Sequence, residues 1–546
     1  MGKAAKAMTI RSLLLSTILA TAALSGATSL SAQDHGHHER LGRVKFPVSC
    51  GPEAQRRFQR AMAVLHSFWW EEGERAFGAV LAADSTCAMA HWGRALNAWG
   101  NPFAGGPTGP GLALGSEAAA LAAARPLPSP REQGFVNAAA ALYRDPRTTS
   151  NGARLQSYAD SLARLHRDFP EDVEVTIYYA LALVATAPRT DTTYAQQRRA
   201  IALLDPLYER YPDHPGLAHY IIHSTDTPGL ASLGLNAARR YARIAPDAPH
   251  AQHMPSHIFV RLGLWDETVS ANWHSFDAGE AHARATGTGH SSHELHALDY
   301  AVYGYLQRGR DSAARHAVAV GESLQVVLLT NAVVAEYNRT AMGARLPLER
   351  GDWAAAAAYP APEAGDTGVA VILRRFTRAL GAARSGNAPA ARTEVAALDA
   401  AARLMARRQE TYWSRVAEIK RDAAKAWVLF ATGDTAGGLA LAAAAADTED
   451  VTDKHPVTPA ELLPARELQA DMLLAAGRYR EALAAYHATL EREPRRARSF
   501  FGAGRAAQLA GDREAAVKAY REYLKAMEPG DGSRPELATA RAFLRT

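Results

Sequence analysis

The sequence predicts an all-α fold, a right-handed α-solenoid of stacked helix–turn–helix repeats. Three observations carry that expectation. Pro212 and Pro246 lie 34 residues apart, as do His219 and His253, and His223 and His257. The segments YPDHPGLAHYIIH and APDAPHAQHMPSHIF are therefore two copies of one unit. Alanine-rich runs such as LGSEAAALAAAR, WAAAAAYPA and LALAAAAAD recur along the chain, and alanine is the strongest helix former and lets helices approach closely. The alternating, β-branched pattern of half-buried strands is nearly absent. A solenoid also suits the length, because 546 residues exceed what one compact core usually holds, whereas each repeat buries surface only against its neighbours.

Residues 1–33 have the pattern of a signal peptide. Lys3, Lys6 and Arg11 precede an apolar run from Leu13 to Leu24, and small residues lead through SLSAQ into the polar DHGHHE. The run is short for a bilayer span. No cysteine near the cleavage zone offers a lipid attachment point, and no later stretch is apolar and long enough to cross a membrane. The expectation is a periplasmic or secreted protein with no stable membrane anchor. Cleavage takes three basic residues and no acidic one from a formal charge of +5, leaving +2, and no basic run is interleaved with aromatics. That balance excludes nucleic acid as a partner. Residues 34–48 read as a mobile, histidine-containing tail.

Residues 49–330 read as an N-terminal superhelix. Its first unit lies in PEAQRRFQRAMAVLHSFWWEEGERAFGAVLAAD. Cys50 and Cys87 each precede a helical run about one repeat apart, and an even cysteine count in an oxidising compartment favours a disulfide between them. Between about 104 and 130, Gly/Pro-rich stretches flank an alanine-rich helix. GGPTGPG lacks the GK[ST] of a phosphate-binding loop, so this segment reads as a connector. Residues 331–460 read as irregular helical repeats, ending in DTEDVTDKHPVTPAELLPA (447–465). Residues 461–546 read as a regular pair, with Gly477 and Gly511, Ala482 and Ala516, and Tyr486 and Tyr520 each 34 apart. Gly263, Gly309, Gly351, Gly386 and Gly433 continue the same ladder upstream, each placed where a positive φ closes a helix.

Eleven of the twenty histidines fall between 214 and 296. If the proline that closes a repeat is position 32, then Gly216, His219, His223 and Asp226 take positions 2, 5, 9 and 12 of the next first helix. His250, His253, His257 and Val260 take the same positions one repeat later, and counting back from Gly309 gives His296, Asp299, Tyr303 and Leu306. These positions share one helix face. Neutral imidazoles with a carboxylate suit zinc, copper or nickel, so the candidate metal ligands are His219, His223, Asp226, His250, His253, His257, His296 and Asp299. HYIIH is not HExxH, and the missing glutamate removes the general base of a metalloprotease. His66 and His91, set among aromatics, read as packing residues. The chain has no GxSxG elbow, no papain-like cysteine context and no GxGxxG after a strand, which turns the reading away from an enzyme.

A 34-residue period is that of the tetratricopeptide repeat. The chain resembles secreted bacterial tetratricopeptide-repeat proteins of unassigned activity in LHSFWWEEGERAF, CAMAHWGRALNAWGNPF, HAQHMPSHIFVRLGLWDE, HALDYAVYGYLQRGRD and KHPVTPAELLPAREL. The resemblance implies that the four helix positions line a concave groove. It implies rows of His219, His253 and Asp299, then His223, His257 and Tyr303, with His250 and His296 beside Gly216. It also implies a protein or peptide partner in that groove, although histidine and aspartate stand where chaperone-tail-binding repeats use lysine, arginine and asparagine. Two functions follow as expectations: an exported scaffold that binds such a partner, or a transition-metal-binding protein or metalloenzyme built on the histidines.

Overall fold

Glycine ends the helices of this chain as its spacing predicts. The structure is a computed structural model that describes residues 39–328, 332–364, 366 and 368–545. In it Gly263, Gly309, Gly351, Gly386, Gly433, Gly477 and Gly511 all adopt φ between 64° and 95°, a region that costs a side chain but not glycine. Antiparallel helix pairs result, beginning with Pro52–His66 against Trp70–Ala83, Ala88–Trp99 against Gly109–Ala123, and Pro130–Leu142 against Asn151–Asp168. The middle of the chain pairs Pro215–Thr225 with Leu235–Ile244, and Ser292–Gln307 with Asp311–Ser323. The end pairs Tyr479–Arg492 with Ala465–Ala475, and Ala497–Leu509 with Arg513–Met527. The fold is an all-α, tetratricopeptide-like solenoid; among the described residues the one sheet is a short parallel pairing of His290–Ser291 with Val326–Leu328. The expected signal peptide and the histidines of DHGHHE lie outside the described residues.

Three segments depart from the sequence reading. The tail expected to be mobile is packed from residue 40 onward. Phe46 is fully buried, with its ring 5.3 Å from Phe58, 5.6 Å from Trp92 and 5.2 Å from Phe135. The Arg43 N–H donates to the Asp213 carbonyl at 2.9 Å, and the Arg40 guanidinium pairs with Asp247. Leu41 and Val44 are buried with Phe46, and together with these polar contacts they anchor the strap. The expected boundary at 460 does not divide the core, since one hydrophobic cluster runs from Tyr337 to Ala519. The irregular stretch is helical as far as Asp450, and its remaining residues cross to distant repeats. There the Asp453 N–H donates to the Arg189 carbonyl at 3.2 Å, Arg261 pairs with Asp453 at 2.8 Å, and Arg345 donates to Thr458 Oγ1 at 2.9 Å.

The C-terminal repeats also fold back on the middle ones. Trp265 Nε1 donates to the Arg495 carbonyl at 3.1 Å, and Arg534 Nη2 donates to the Leu306 carbonyl at 2.9 Å and to Asp311 at 2.7 Å. Cys50 and Cys87 form a disulfide with their Cα atoms 5.3 Å apart. Among the described residues no helix is long and apolar enough to cross a membrane.

Candidate metal centre

Proline starts both histidine helices. Pro215 opens Pro215–Thr225, which carries His219 and His223 one turn apart. Pro249 opens Pro249–His253, which continues through Pro255–Arg261 and carries His250, His253 and His257. Proline suits a first helical turn because its fixed φ is helical and its missing N–H has no partner there anyway. Ser292–Gln307, opened by a Ser291–Glu294 capping box, supplies His296.

These helices assemble two triads. One ring nitrogen from each of His219, His223 and His250 lies within 4.8 Å of the others, and the same holds for His253, His257 and His296. The triads adjoin, with ring centroids 5.9 Å apart for His223 and His257 and 5.8 Å apart for His250 and His253. All six residues are buried, none more than 8 % exposed.

Hydrogen bonds decide which nitrogens are bare. The His219 Nδ1–H donates to the His66 carbonyl at 2.6 Å, which leaves Nε2 with a lone pair and no protein partner among the described residues. Asn272 donates its amide N–H to the Thr268 carbonyl, so its oxygen faces His253 and accepts from Nδ1 at 2.6 Å. The His257 Nδ1–H donates to Asp226 Oδ2 at 2.8 Å. His253 and His257 thus turn Nε2 lone pairs toward each other at 3.0 Å. Two acceptors cannot satisfy one another. The Tyr300 hydroxyl lies 3.3 Å from His257 Nε2, but its one proton has the Thr458 carbonyl closer, at 3.0 Å. His223 Nε2, both His250 nitrogens and His296 Nδ1 are also buried without a protein partner among the described residues.

Electrostatics keep the rings neutral. Burial pushes His219 down to about 3. Burial, reinforced by neighbouring histidines, holds His223, His250, His253 and His296 well below the ordinary value. His257 is lowered by burial and partly restored by Asp226. For Asp226 burial acts upward, but Lys454, Arg261 and His257 outweigh it and hold the carboxyl well below the usual carboxylate range. Neutral imidazole is the form that ligates a metal.

A second hydrogen-bonded layer holds the first in place. Glu174 is buried between His66 Nε2 and His214 Nε2, each 3.0 Å away, and His66 Nδ1 lies 3.1 Å from the Tyr220 hydroxyl. Both carboxylate oxygens are used, so this cluster orients His66, whose carbonyl in turn fixes the His219 tautomer. Gly216 makes room for it, since a Cβ there would sit 2.5 Å from His66 Nδ1. Phe68 closes the chamber from the turn after His66. Its ring centroid is 4.4 Å from His219 and 5.6 Å from His250, and its φ of 50° is one that a bulky side chain rarely adopts. Phe103 stacks on His223 at 4.0 Å.

Six of the eight sequence candidates therefore share one chamber, and the other two differ. Asp226 approaches His257 through Nδ1 and stands behind the triad. Asp299 lies outside it, in a fully buried pair with Arg345 at 2.8 Å. The expected rows assumed equal positions on successive helices. In the structure His223 still faces His257 at 5.9 Å, but the following helix leans by about one turn, so His253 meets His296 at 4.3 Å and His257 meets Tyr300 at 5.0 Å. Tyr303 does not line a histidine groove. It lines a separate polar cavity with Arg261, Glu449 and Glu493, and its hydroxyl donates to Glu493 at 3.2 Å. Sequence reasoning missed His66, Glu174, His214, Asn272 and Lys454. His66, taken as a packing residue, does sit among aromatics, but its partners are 108 and 154 residues away. His91 is buried as expected.

No protein-family model matches the chain, and no curated protein matches it. Several solved structures are similar to it at low identity, among them the following three. Yeast Tom70 is 10% identical over 90% of this chain and 89% of that chain, with a TM-score of 0.28. The TPR domain of P58(IPK) is 14% identical over 68% of this chain and 98% of that one, with a TM-score of 0.22. Naa15/Naa10 bound to HypK-THB is 10% identical over 90% and 91%, with a TM-score of 0.25. At these scores the likenesses carry no argument about function, and the helical-repeat assignment rests on the chain's own helices and glycines.

Proposed function

We propose that this chain is an exported helical-repeat protein that binds transition metal in its six-histidine chamber. The observation that carries the reading is the His253–His257 pair: two Nε2 lone pairs 3.0 Å apart, each fixed as an acceptor by the bond its Nδ1 makes. A cation between or beside them turns that repulsion into ligation. Zinc, copper and nickel all accept neutral imidazole. Among the described residues no carboxylate joins either triad, which disfavours magnesium and calcium. Elemental analysis of the purified protein tests the reading. We expect stoichiometric zinc, copper or nickel; protein that neither carries nor takes up any of the three refutes it. Export rests on the basic start and the apolar run from Leu13 to Leu24, and an intact mass that still includes them, in protein from the native host, would refute that part.

A protein- or peptide-binding role is the second reading, and the observation that favours it lies away from the histidines. The histidine face is overlaid by residues 451–464, through Lys454 on Asp226 and the carbonyls of Pro456 and Thr458 on Tyr300. An open cleft instead lies among Leu439, Ala440, Ala443, Ala484 and Ala488, rimmed by Arg466 and Glu481. Small side chains there leave room for the side chains of a partner segment.

A further inference from the structure

The two triads are built to one plan. In each, two histidines one turn apart on one helix are joined by a histidine from a neighbouring helix of the next repeat: His219 and His223 with His250, His253 and His257 with His296. We propose that the chamber holds a pair of transition-metal ions, one per triad, close enough to share a small bridging ligand. This inference rests on the metal reading above and adds its stoichiometry and ligand class.

The donor count comes first. A tetrahedral ion takes four ligands, and a three-histidine ion keeps one position open for a small molecule. Six imidazoles exceed the need of one such ion, and they separate by distance into two sets of three. Adjacency comes second. His250 lies 5.1 Å from His219 in its own triad and 5.8 Å from His253 in the other, and His223 touches His257 across the same boundary. The sets adjoin, and the proposal places their ions at the roughly 3.5–4 Å spacing of two-metal sites. Charge comes third. Asp226, the nearest carboxylate, already meets Arg261 at 2.9 Å and Lys454 at 3.3 Å. Two divalent ions on six neutral ligands would therefore be buried without a compensating anion, an arrangement that favours one shared between them. Size comes fourth. Phe68 and Phe103 press against His219, His223 and His250, and residues 451–464 overlie Asp226 and Tyr300. With the histidines enclosed on these sides, the proposal takes a bridging ligand of the smallest class, such as hydroxide, azide or peroxide.

Copper(II) is the probe for the test. The metal-free chain is loaded, freed of excess and analysed for copper content and by electron paramagnetic resonance, with and without azide. We expect two copper ions per chain and a resonance far below that of the copper present, because spins sharing a bridge couple, with azide shifting the spectrum. The double variant His219→Ala/His223→Ala should retain one copper with a full mononuclear signal. So should His253→Ala/His257→Ala, and circular dichroism shows which variants fold. If neither folds, the wild-type protein still decides. One copper per wild-type chain, or two with an uncoupled signal, overturns the pair and leaves the single-ion reading standing. No bound copper, with no zinc or nickel in its place, overturns both.

Discussion

Replacing Asp226 by asparagine should separate what the carboxylate does for stability from what it does for the metal. Three groups converge on it: His257 Nδ1 at 2.8 Å, Arg261 Nε at 2.9 Å and Lys454 Nζ at 3.3 Å. Lys454 and Arg261 are only 7 % and 8 % exposed. Arg261 keeps Asp453 at 2.8 Å, so Lys454 bears most of the loss. Removing one partner from a buried ion pair costs about 3–5 kcal/mol, because the other charge is left uncompensated. The asparagine oxygen can still accept from His257, but the amide N–H then faces a cation with no acceptor to offer. Loss of a carboxylate behind a ligating histidine typically weakens metal binding about 10–100-fold. Urea unfolding of the metal-free protein reads the first quantity, and a competition titration with a chromogenic chelator reads the second. Adding Lys454→Met should recover part of the stability and none of the affinity. A change under about 0.5 kcal/mol in the single variant, with unaltered affinity, would refute the place given to Asp226 in this network.

The metal-free protein should lose stability in acid. His219, lowered to about 3 from an ordinary 6.5, binds fewer protons folded than unfolded between those values. Its contribution is therefore complete above pH 6.5 and lost as pH falls toward 3, and the other depressed histidines add to it in the same direction. A melting temperature independent of pH across that window would contradict neutral burial. Bound metal opposes this loss because it binds the folded state, so release should accompany acid unfolding and come at lower pH than unfolding of the metal-free protein. Reducing Cys50–Cys87, separated by 37 residues, should cost roughly 3–4 kcal/mol by the loop-entropy account, read as a shift in the urea midpoint. Two freely alkylated thiols in the native exported protein would count against the bond.

What the sequence disclosed follows the range of the forces involved. The glycine ladder was readable because a positive φ after a helix is a local demand, met at Gly263 as at Gly511. The histidine face was readable because 3.6-residue periodicity puts His219 with His223, and His253 with His257, on one side of a helix. The error at Asp299 arose one level up. Register between helices depends on how far each slides against the next, and a lean of one turn exchanged Asp299 for His296. Residues 451–464 were legible as irregular, but nothing local in DTEDVTDKHPVTPAELLPA says that Lys454 will reach Asp226, 228 residues away. Phe46 is a similar case. A short segment after a polar, histidine-rich stretch looks like a tail until its aromatic partners are known.

Repeat duplication alone could copy a structural histidine, so the choice between a relic and a binding site turns on energy. His66 uses both ring nitrogens, with Tyr220 and Glu174. His91, read as a packing residue, leaves both without a protein partner among the described residues, so a bare nitrogen by itself marks no site. What sets the chamber apart is convergence. His219 Nε2, His223 Nε2, His250 Nδ1 and Nε2, and His296 Nδ1 are all buried with no protein partner among the described residues. A buried polar group left unsatisfied costs about 1–3 kcal/mol. Five such nitrogens therefore put about 5–15 kcal/mol at stake, as much as the whole net stability of a typical domain. Around them other groups are spent to hold that state. Asn272, Asp226 and the His66 carbonyl each take the far nitrogen of a ring and aim the near one inward. A fold that orients lone pairs inward and leaves them unanswered gains that energy back only when something with empty orbitals or protons to donate enters. The proposed metal ion is one such ligand, and a hydrogen-bond-donating water is the alternative that elemental analysis separates from it.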